Sequence, residues 1–390
     1  MRIGFVGCGL AARAYFYSFK QYPDLELAGV TGRNQERISK FGAFYSVKTY
    51  STVEALLADP NIELIVNLTN PRSHFEVSKA CLEAGKHVYS EKPLAMEFSQ
   101  AKALVELAKT KGLYLSCAPC KLLGETAQTV WEALRNREIG TVQLVYAEVD
   151  DGPTHLQKIW HAPCGAVQDY RDEFEVGCTL EHAGYYVTWF TAFFGPAKTI
   201  TAFSASLWPN KQVVPEEPLY VTTPDFSVAC ITFESGVVVR MTCSIVAPHN
   251  HSLQMVGDKG VLTVEECWNQ NAPVYIDKYS QLRFRAERYP ITRIYPFLKH
   301  WLGPHRVYPP VKKVGLRKRY ARYSHNFARG IAELAWAIKE KRRSRLPVDY
   351  CLHVNEVVLA IQNATHTPYQ VTTTFEPLDP MDKATRRGIP

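Results

Sequence analysis

The stretch Arg2-Ile3-Gly4-Phe5-Val6-Gly7-Cys8-Gly9-Leu10-Ala11-Ala12 decides the architecture of this chain. An apolar run of strand length breaks at Gly7, and an amphipathic stretch begins at Leu10. Gly7 to Ala12 fits the pattern G-x-G-x-x-A. In that pattern the first glycine permits a tight turn and the second lets backbone approach a pyrophosphate. The small last residue lets the following helix pack close to the sheet. The helix start also offers unpaired N–H groups to phosphate oxygens. A glycine turn is a weak signal by itself. Standing between a first strand and a first helix, it predicts a dinucleotide site at Gly7, Gly9, Leu10, Ala11 and Ala12.

The next hundred residues repeat the alternation. Apolar runs at Glu26–Thr31, Leu64–Leu68, His87–Ser90 and Tyr114–Cys117 are separated by helical stretches at Gln35–Phe41, Ser73–Ala84 and Ser99–Lys111. Such alternation predicts a doubly wound parallel sheet of six βα units over residues 1–120. From about Pro119 the pattern becomes a run of alternating strands, at Val142–Val149, Lys198–Leu207, Phe226–Phe233, Val237–Val246, His251–Val256 and Gly260–Glu265. Ser235-Gly236 and Asp258-Lys259-Gly260 mark hairpins. Helices are expected at Thr126–Arg135, Thr179–Phe194, Ser324–Lys341 and Asp349–Asn363. Residues 121–390 therefore read as a second α/β domain with a large, mostly antiparallel open sheet. A chain of 390 residues has room for both.

The second strand ends Val30-Thr31-Gly32-Arg33. Dinucleotide folds commonly place a ribose-binding acid there. Its absence removes repulsion toward a 2′-phosphate, and the Arg33 guanidinium is suited to pair with one. Gly32 and Arg33 thus favour NADP over NAD.

The mixed charge and the 46% apolar content exclude a disordered chain. The uncharged run near Ala183–Lys198 is broken by Thr and Gly and falls short of the roughly 18–20 apolar residues a span requires. The N-terminus enters the glycine turn without a separate apolar core, so a cytoplasmic protein is expected. The ten cysteines fit a reducing compartment. Cys117 and Cys120 have CxxC spacing, but no second pair stands at a zinc-ribbon distance. They are expected to pack, and no metal site is expected. The net charge of +7 is local: residues 283–322 hold twelve Lys/Arg against the single acid Glu287, leaving the remainder at −4.

Glu91-Lys92-Pro93 follows Gly85-Lys86-His87-Val88 by one short strand. With the glycine turn and Thr69-Asn70-Pro71…His74, it resembles the Gfo/Idh/MocA oxidoreductases. Further similarities are Glu138-Ile139-Gly140, Gly257-Asp258-Lys259-Gly260 and Asn326–Gly330, so the likeness runs essentially end to end. It implies a Rossmann domain joined to an α/β domain whose sheet faces the cofactor. It also implies hydride transfer at a carbinol or ketone of a sugar, cyclitol or nucleotide-sugar, with self-association through the C-terminal sheet into a homo-oligomer. By the same resemblance Thr69, Asn70 and His74 line the cofactor, Glu91 sits beside the nicotinamide ribose, and Lys92 reaches the reacting oxygen.

The family's second motif, Gly-Gly-x-Leu-x-Asp-x-Gly-x-His, corresponds to Gly177-Cys178-Thr179-Leu180-Glu181-His182-Ala183-Gly184-Tyr185-Tyr186. Aligned on Gly184, His182 replaces the Asp and Tyr186 the His. Residues four apart share a helix face, so His182 and Tyr186 are expected in one cleft with Lys92. There Tyr186 would relay the proton, Lys92 would favour its phenolate, and His182 would orient it or act as a second base. The competing expectation makes both core residues beneath Trp189 and Phe190.

The polar loop holding Asp150-Asp151-Gly152, His155, Trp160, His161 and Asp169–Glu173 is expected to wall the substrate cleft, with Trp160, His161 and Tyr170 as contacts. The basic segment 283–322, rich in Tyr and Pro, suits a clamp for a phosphorylated sugar, peripheral contact with an anionic membrane, or a solvated arm. No nucleic-acid-binding module is recognised in it, and no nucleic-acid partner is expected. Two alternatives to a dehydrogenase remain open: a glycosidase or lyase acting by transient oxidation with tightly held NAD, and a non-catalytic cofactor-sensing regulator.

Overall fold

The computed structural model describes residues 1–156, 160–168, 171–214, 217–281, 289–295, 297–298, 306–308 and 326–381. The first sheet is wholly parallel and has five strands in the spatial order Glu26–Thr31, Arg2–Val6, Leu64–Asn67, His87–Ser90, Leu115–Cys117. Ile3, Phe5, Leu64, Ile65 and Val66 are completely buried, as expected for strands with helices on both faces. The first strand lies between the second and third, so the winding reverses there. Ligands of open parallel sheets bind beyond the strand ends at such a switch. The glycine turn and the loop after Leu64–Asn67 both open onto it.

The expected six units become five. After the helix Gln35–Tyr45 the chain makes only an isolated bridge, Val30 to Thr49, and the short helix Val53–Leu57. Thr52 caps that helix, its Oγ1 accepting from Ala55 N at 3.1 Å.

The second sheet has nine strands, ordered Arg306–Tyr308, Val274–Lys278, Gly260–Val264, Leu253–Gly257, Val142–Asp150, Val238–Ser244, Phe226–Phe233, Ala197–Ala205, Tyr369–Gln370. All neighbours are antiparallel except Val142–Asp150 with Val238–Ser244. Val145, Ala147 and Val149 alternate inward, on the face that the helix Val348–Gln362 covers at Ala197–Ala205 and Phe226–Phe233. On the opposite face Tyr146 is 38% and Phe203 57% exposed. The three strands beyond the sequence expectation, Val274–Lys278, Arg306–Tyr308 and Tyr369–Gln370, lie at or next to the sheet's edges, where they are short.

The late helix Ala328–Glu340 returns to the first sheet. Asn326 Nδ2 donates to Tyr22 Oη at 2.7 Å, and Ala328 N donates to Ser18 Oγ at 3.1 Å. A Cβ at Gly330 would stand 2.2 Å from Tyr89 Oη, so only glycine allows this approach. The helix Pro290–Ile294 and the strand Arg306–Tyr308 are the main described parts of the basic segment. The phosphate-clamp and membrane expectations otherwise fall outside the described residues.

Candidate active site

Gly7 has φ +114°, and a Cβ there would lie 2.3 Å from Leu68 O. Its N–H donates to Thr31 O at 2.8 Å, tying the turn to the second strand. A Cβ on Gly9 would meet nothing within 4 Å, so this glycine faces open space. The helix Leu10–Phe19 that follows has no side-chain cap and no acid in its first turn, so its N–H groups and dipole favour an anion. Leu10 and Ala11 are half-buried beside Gly9, and Ala12 is fully buried. Gly32 packs near Cys8 Sγ, and Arg33 is exposed at the rim of the same turn. These residues suit a dinucleotide: an open glycine, free helix amides and a cationic rim.

Across the switch point, Thr69 and Asn70 are half-buried on the loop after the third strand. Asn67 Oδ1 accepts from Thr69 Oγ1 at 2.6 Å, and Asn70 Oδ1 accepts from Ser73 Oγ at 3.0 Å. His74, expected to line the cofactor, is 1% exposed. Its Nδ1 lies 2.7 Å from Pro93 O and its Nε2 3.0 Å from Thr69 O. It joins the Thr69 loop to the Lys92-Pro93 turn from behind, as a positioning residue.

Glu91 and Lys92 emerge from the end of His87–Ser90. The Glu91 carboxylate accepts from Tyr15 Oη at 2.7 Å and from Lys92 N at 3.0 Å. The Lys92 ammonium pairs with Glu181 and stands 5.9 Å from the centre of the Tyr185 ring. Burial opposes its charge, but Glu181, Tyr185 and Glu91 outweigh burial and hold its pKa above the ordinary lysine value. Burial raises the Tyr185 phenol above its ordinary value, and Lys92 offsets only part of that rise.

Lys92 does not meet Tyr186. That residue is 2% exposed, its ring packed against Trp189 and Phe190 and its hydroxyl directed at the Cys267 thiol. The reason is local. Thr179–Ala183 forms a π-helical turn, and the regular α-helix begins only at Gly184. A turn closed i to i+5 is wider than an α-turn, so the face expected of a continuous helix is rotated. The pair that approaches Lys92 is Glu181 and Tyr185, which keeps the acid-to-relay spacing of four but starts one residue earlier than the glycine alignment. His182 instead lies between two carboxylates, with Nδ1 against Asp151 and Nε2 3.0 Å from Glu173 Oε1. Those carboxylates outweigh burial and raise its pKa to about 10.

Sequence reasoning also passed over Lys121, which is 4% exposed. Its ammonium donates to Trp268 O at 2.6 Å and stands 3.5 Å from the Trp268 ring centre and 4.8 Å from that of Tyr185. Burial drives its pKa well below the usual lysine value. Lys121, Tyr185, Glu91, Tyr15 and Phe327 line one cleft. Only the adjacent Cys117-Ala118-Pro119-Cys120 drew attention in the sequence. Both cysteines are buried with Sγ directed at backbone carbonyls, Cys117 to Glu91 O and Cys120 to Phe327 O. Of the expected substrate wall, His161 is exposed in a small ribbon of Trp160–His161 with Val167–Gln168. Tyr170 and the Trp160 side chain lie outside the described residues.

Residues 1–118 match the oxidoreductase family with an NAD-binding Rossmann fold, and residues 127–263 match the GFO/IDH/MocA C-terminal domain. The chain belongs to the Gfo/Idh/MocA oxidoreductase family. Within it, an uncharacterised oxidoreductase of Schizosaccharomyces pombe is 31% identical over 176 residues, covering 42% of this chain and 47% of that protein. The match thus spans about half of that relative's length. Trans-1,2-dihydrobenzene-1,2-diol dehydrogenase of Mus musculus is 24% identical over 274 residues, covering 69% of this chain and 75% of that protein. Among solved structures, the WlbA dehydrogenase of Bordetella pertussis, in complex with NADH and UDP-GlcNAcA, superposes with a TM-score of 0.70. It is 19% identical and covers 97% of this chain and 98% of that one, which establishes the shared fold. No described helix of this Gfo/Idh/MocA member is long and apolar enough to cross a membrane.

Proposed function

We propose that this protein is an NAD(P)-dependent oxidoreductase acting at a carbinol or ketone of a sugar, cyclitol or nucleotide-sugar. The observation that carries it is the meeting of Lys92, Glu181 and Tyr185 beside Glu91, in a cleft beyond the ends of the parallel strands. When bound, the nicotinamide supplies the hydride acceptor or donor. Gly7, Gly9 and the first turn of Leu10–Phe19 would hold its pyrophosphate, Thr69 and Asn70 its middle, and Glu91 its inner ribose. Arg33 favours NADP for the reason given above, the lack of a ribose-binding acid.

In the oxidising direction the substrate hydroxyl must lose a proton as hydride leaves carbon, which needs an acid/base within hydrogen-bond reach. Tyr185 takes that role here in place of Tyr186. The adjacent Lys92 favours the phenolate and stabilises charge developing on the substrate oxygen. Glu181 anchors the Lys92 ammonium, and Lys121 adds a second nitrogen over the Tyr185 ring. The uncovered face of the nine-stranded sheet, carrying Tyr146 and Phe203, supports self-association into a homo-oligomer.

The test is a screen of sugars, cyclitols and nucleotide-sugars with each cofactor. Net formation of reduced nicotinamide supports the dehydrogenase. Turnover of a substrate without net cofactor change would instead favour the transient-oxidation alternative. Cofactor binding with no turnover of any class would favour the regulator.

A further inference from the structure

Behind the turn that carries Glu181 runs a chain of alternating carboxylates and imidazoles that hydride transfer does not use. Glu173 faces His182, and His182 abuts Asp151. Asp151 Oδ1 lies 2.8 Å from His251 Nε2, and His251 Nδ1 lies 3.1 Å from Glu266 Oε1. Glu266 Oε2 is 2.9 Å from His249 Nε2. One ligating atom from each of Asp151, His249 and His251 fits within a single 4.8 Å span.

The centre of this chain is a buried imidazole between two carboxylates. The His251 side chain is 1% exposed and is held at both ring nitrogens by carboxylates, Asp151 at Nε2 and Glu266 at Nδ1. Glu266 is itself fixed, accepting from Trp268 N at 3.0 Å, and His251 Nδ1 is placed to donate to it. With its proton on Nδ1, His251 directs the Nε2 lone pair at a carboxylate oxygen. A buried imidazole nitrogen and carboxylate oxygen this close share a positive charge, carried by a ring proton or, in its place, by a metal ion bound beside both atoms.

We propose that Asp151, His249 and His251 bind a divalent transition-type cation such as Zn²⁺. Two imidazoles and one carboxylate suit zinc and its neighbours better than Mg²⁺ or Ca²⁺, which prefer all-oxygen sites. Glu266 takes the outer-sphere role, orienting His251 through its second ring nitrogen. His249, 57% exposed, opens the site to solvent, so water completes the coordination. The cation braces the cleft wall and takes no part in hydride transfer, so the site stands or falls independently of the proposed activity. It ties Asp151 to the segment before the strand Leu253–Gly257. His251 stacks on Trp268 with ring centres 5.2 Å apart, and Trp268 packs on Tyr185 at 4.4 Å.

Co²⁺ alone, titrated into the chelator-treated full chain, is the probe. The expected result is a visible d–d absorption saturating at one equivalent, without a sulfur-to-cobalt charge-transfer band. His249→Ala, a change at an exposed residue, weakens binding at least ~10-fold while circular dichroism stays unchanged. Cys230→Ser, removing the exposed thiol, leaves the titration as it was. No saturable d–d band, a thiolate charge-transfer band, or equal Co²⁺ affinity in His249→Ala would each overturn the proposal.

Discussion

Lys92 and Glu181 reach one another from two different sheets' surroundings: Lys92 follows a parallel strand of the first, and Glu181 sits on the π-turn over the second. Their side chains are only 16% and 14% exposed. An ammonium taken that far from water needs a counter-charge. Glu181 provides it, and in doing so fixes where the positive charge stands relative to Tyr185.

Removing that counter-charge changes the pH dependence. Glu181 is the largest influence raising the Lys92 pKa, and burial opposes it. In Glu181→Gln the strongest of those influences is gone while burial remains, so the ammonium loses its proton at lower pH than in the unaltered protein. The alkaline limb of kcat/KM against pH therefore moves toward neutrality, and kcat falls at least ~10-fold. A pH–rate profile checks this, and an unmoved alkaline limb rejects it.

The two neighbouring tyrosines are expected to separate cleanly. Tyr185→Phe lowers kcat by about 10²–10⁴, the usual contribution of a positioned acid/base. Tyr186→Phe removes a buried hydroxyl whose neighbour is the Cys267 thiol, so it leaves kcat within a few-fold and changes stability by no more than about 1 kcal/mol. Comparable losses in both variants would show that the relay has been misplaced.

Cofactor choice is tested at the rim. If Arg33 pairs with a 2′-phosphate, Arg33→Ala weakens NADP binding by about 10–100-fold, the range for a charged hydrogen bond. NAD binding stays nearly constant. Calorimetric titration with both cofactors decides, and equal losses for NADP and NAD would remove Arg33 from that role.

Glu356 gives a stability prediction away from the cleft. Its carboxylate, 1% exposed, accepts from Tyr369 Oη at 2.8 Å, Thr372 N at 2.8 Å and Thr373 N at 2.9 Å, pinning the last described segment to the helix Val348–Gln362. Burial pushes its pKa up, but hydrogen bonds from Thr372 and Thr373 prevail and lower it. A folded-state pKa below the unfolded one gives stability that is present above about pH 4.3 and lost as pH falls through the folded value. Glu356→Gln should cost about 2–4 kcal/mol at neutral pH and flatten the acid limb of stability. Denaturant unfolding from neutral pH downward measures both, and a parallel loss at every pH counts against it.

Both sheets were largely legible in the chain because their determinants are local. Continuous apolar runs such as Ile3–Val6 and Leu64–Val66 announce strands buried on both faces. The alternation Val145, Ala147, Val149 against Leu144, Tyr146, Glu148 announces a strand with one open face. The sixth unit has no strand to stand on, since between Gln35–Tyr45 and Leu64–Asn67 the chain makes only an isolated bridge and the short helix Val53–Leu57. The edge strands Arg306–Tyr308 and Tyr369–Gln370 carry no legible signal because two or three residues hold no measurable period.

The line between what the chain spells out and what folding settles runs through Glu181-His182-Ala183-Gly184-Tyr185-Tyr186. Spacing establishes that an acid, an imidazole and a phenol stand on one helical stretch, and the family resemblance implies that this stretch meets Lys92. They do not establish which of them faces it. Each residue along a helix turns its side chain by roughly 100°, so one widened turn hands the cleft from Tyr186 to Tyr185. Lys121, Trp268, Asp151 and His251 join the same wall from segments as far as 147 residues apart. No local pattern marks such partners, because the burial and charge that define their roles exist only once the two sheets have closed on one another.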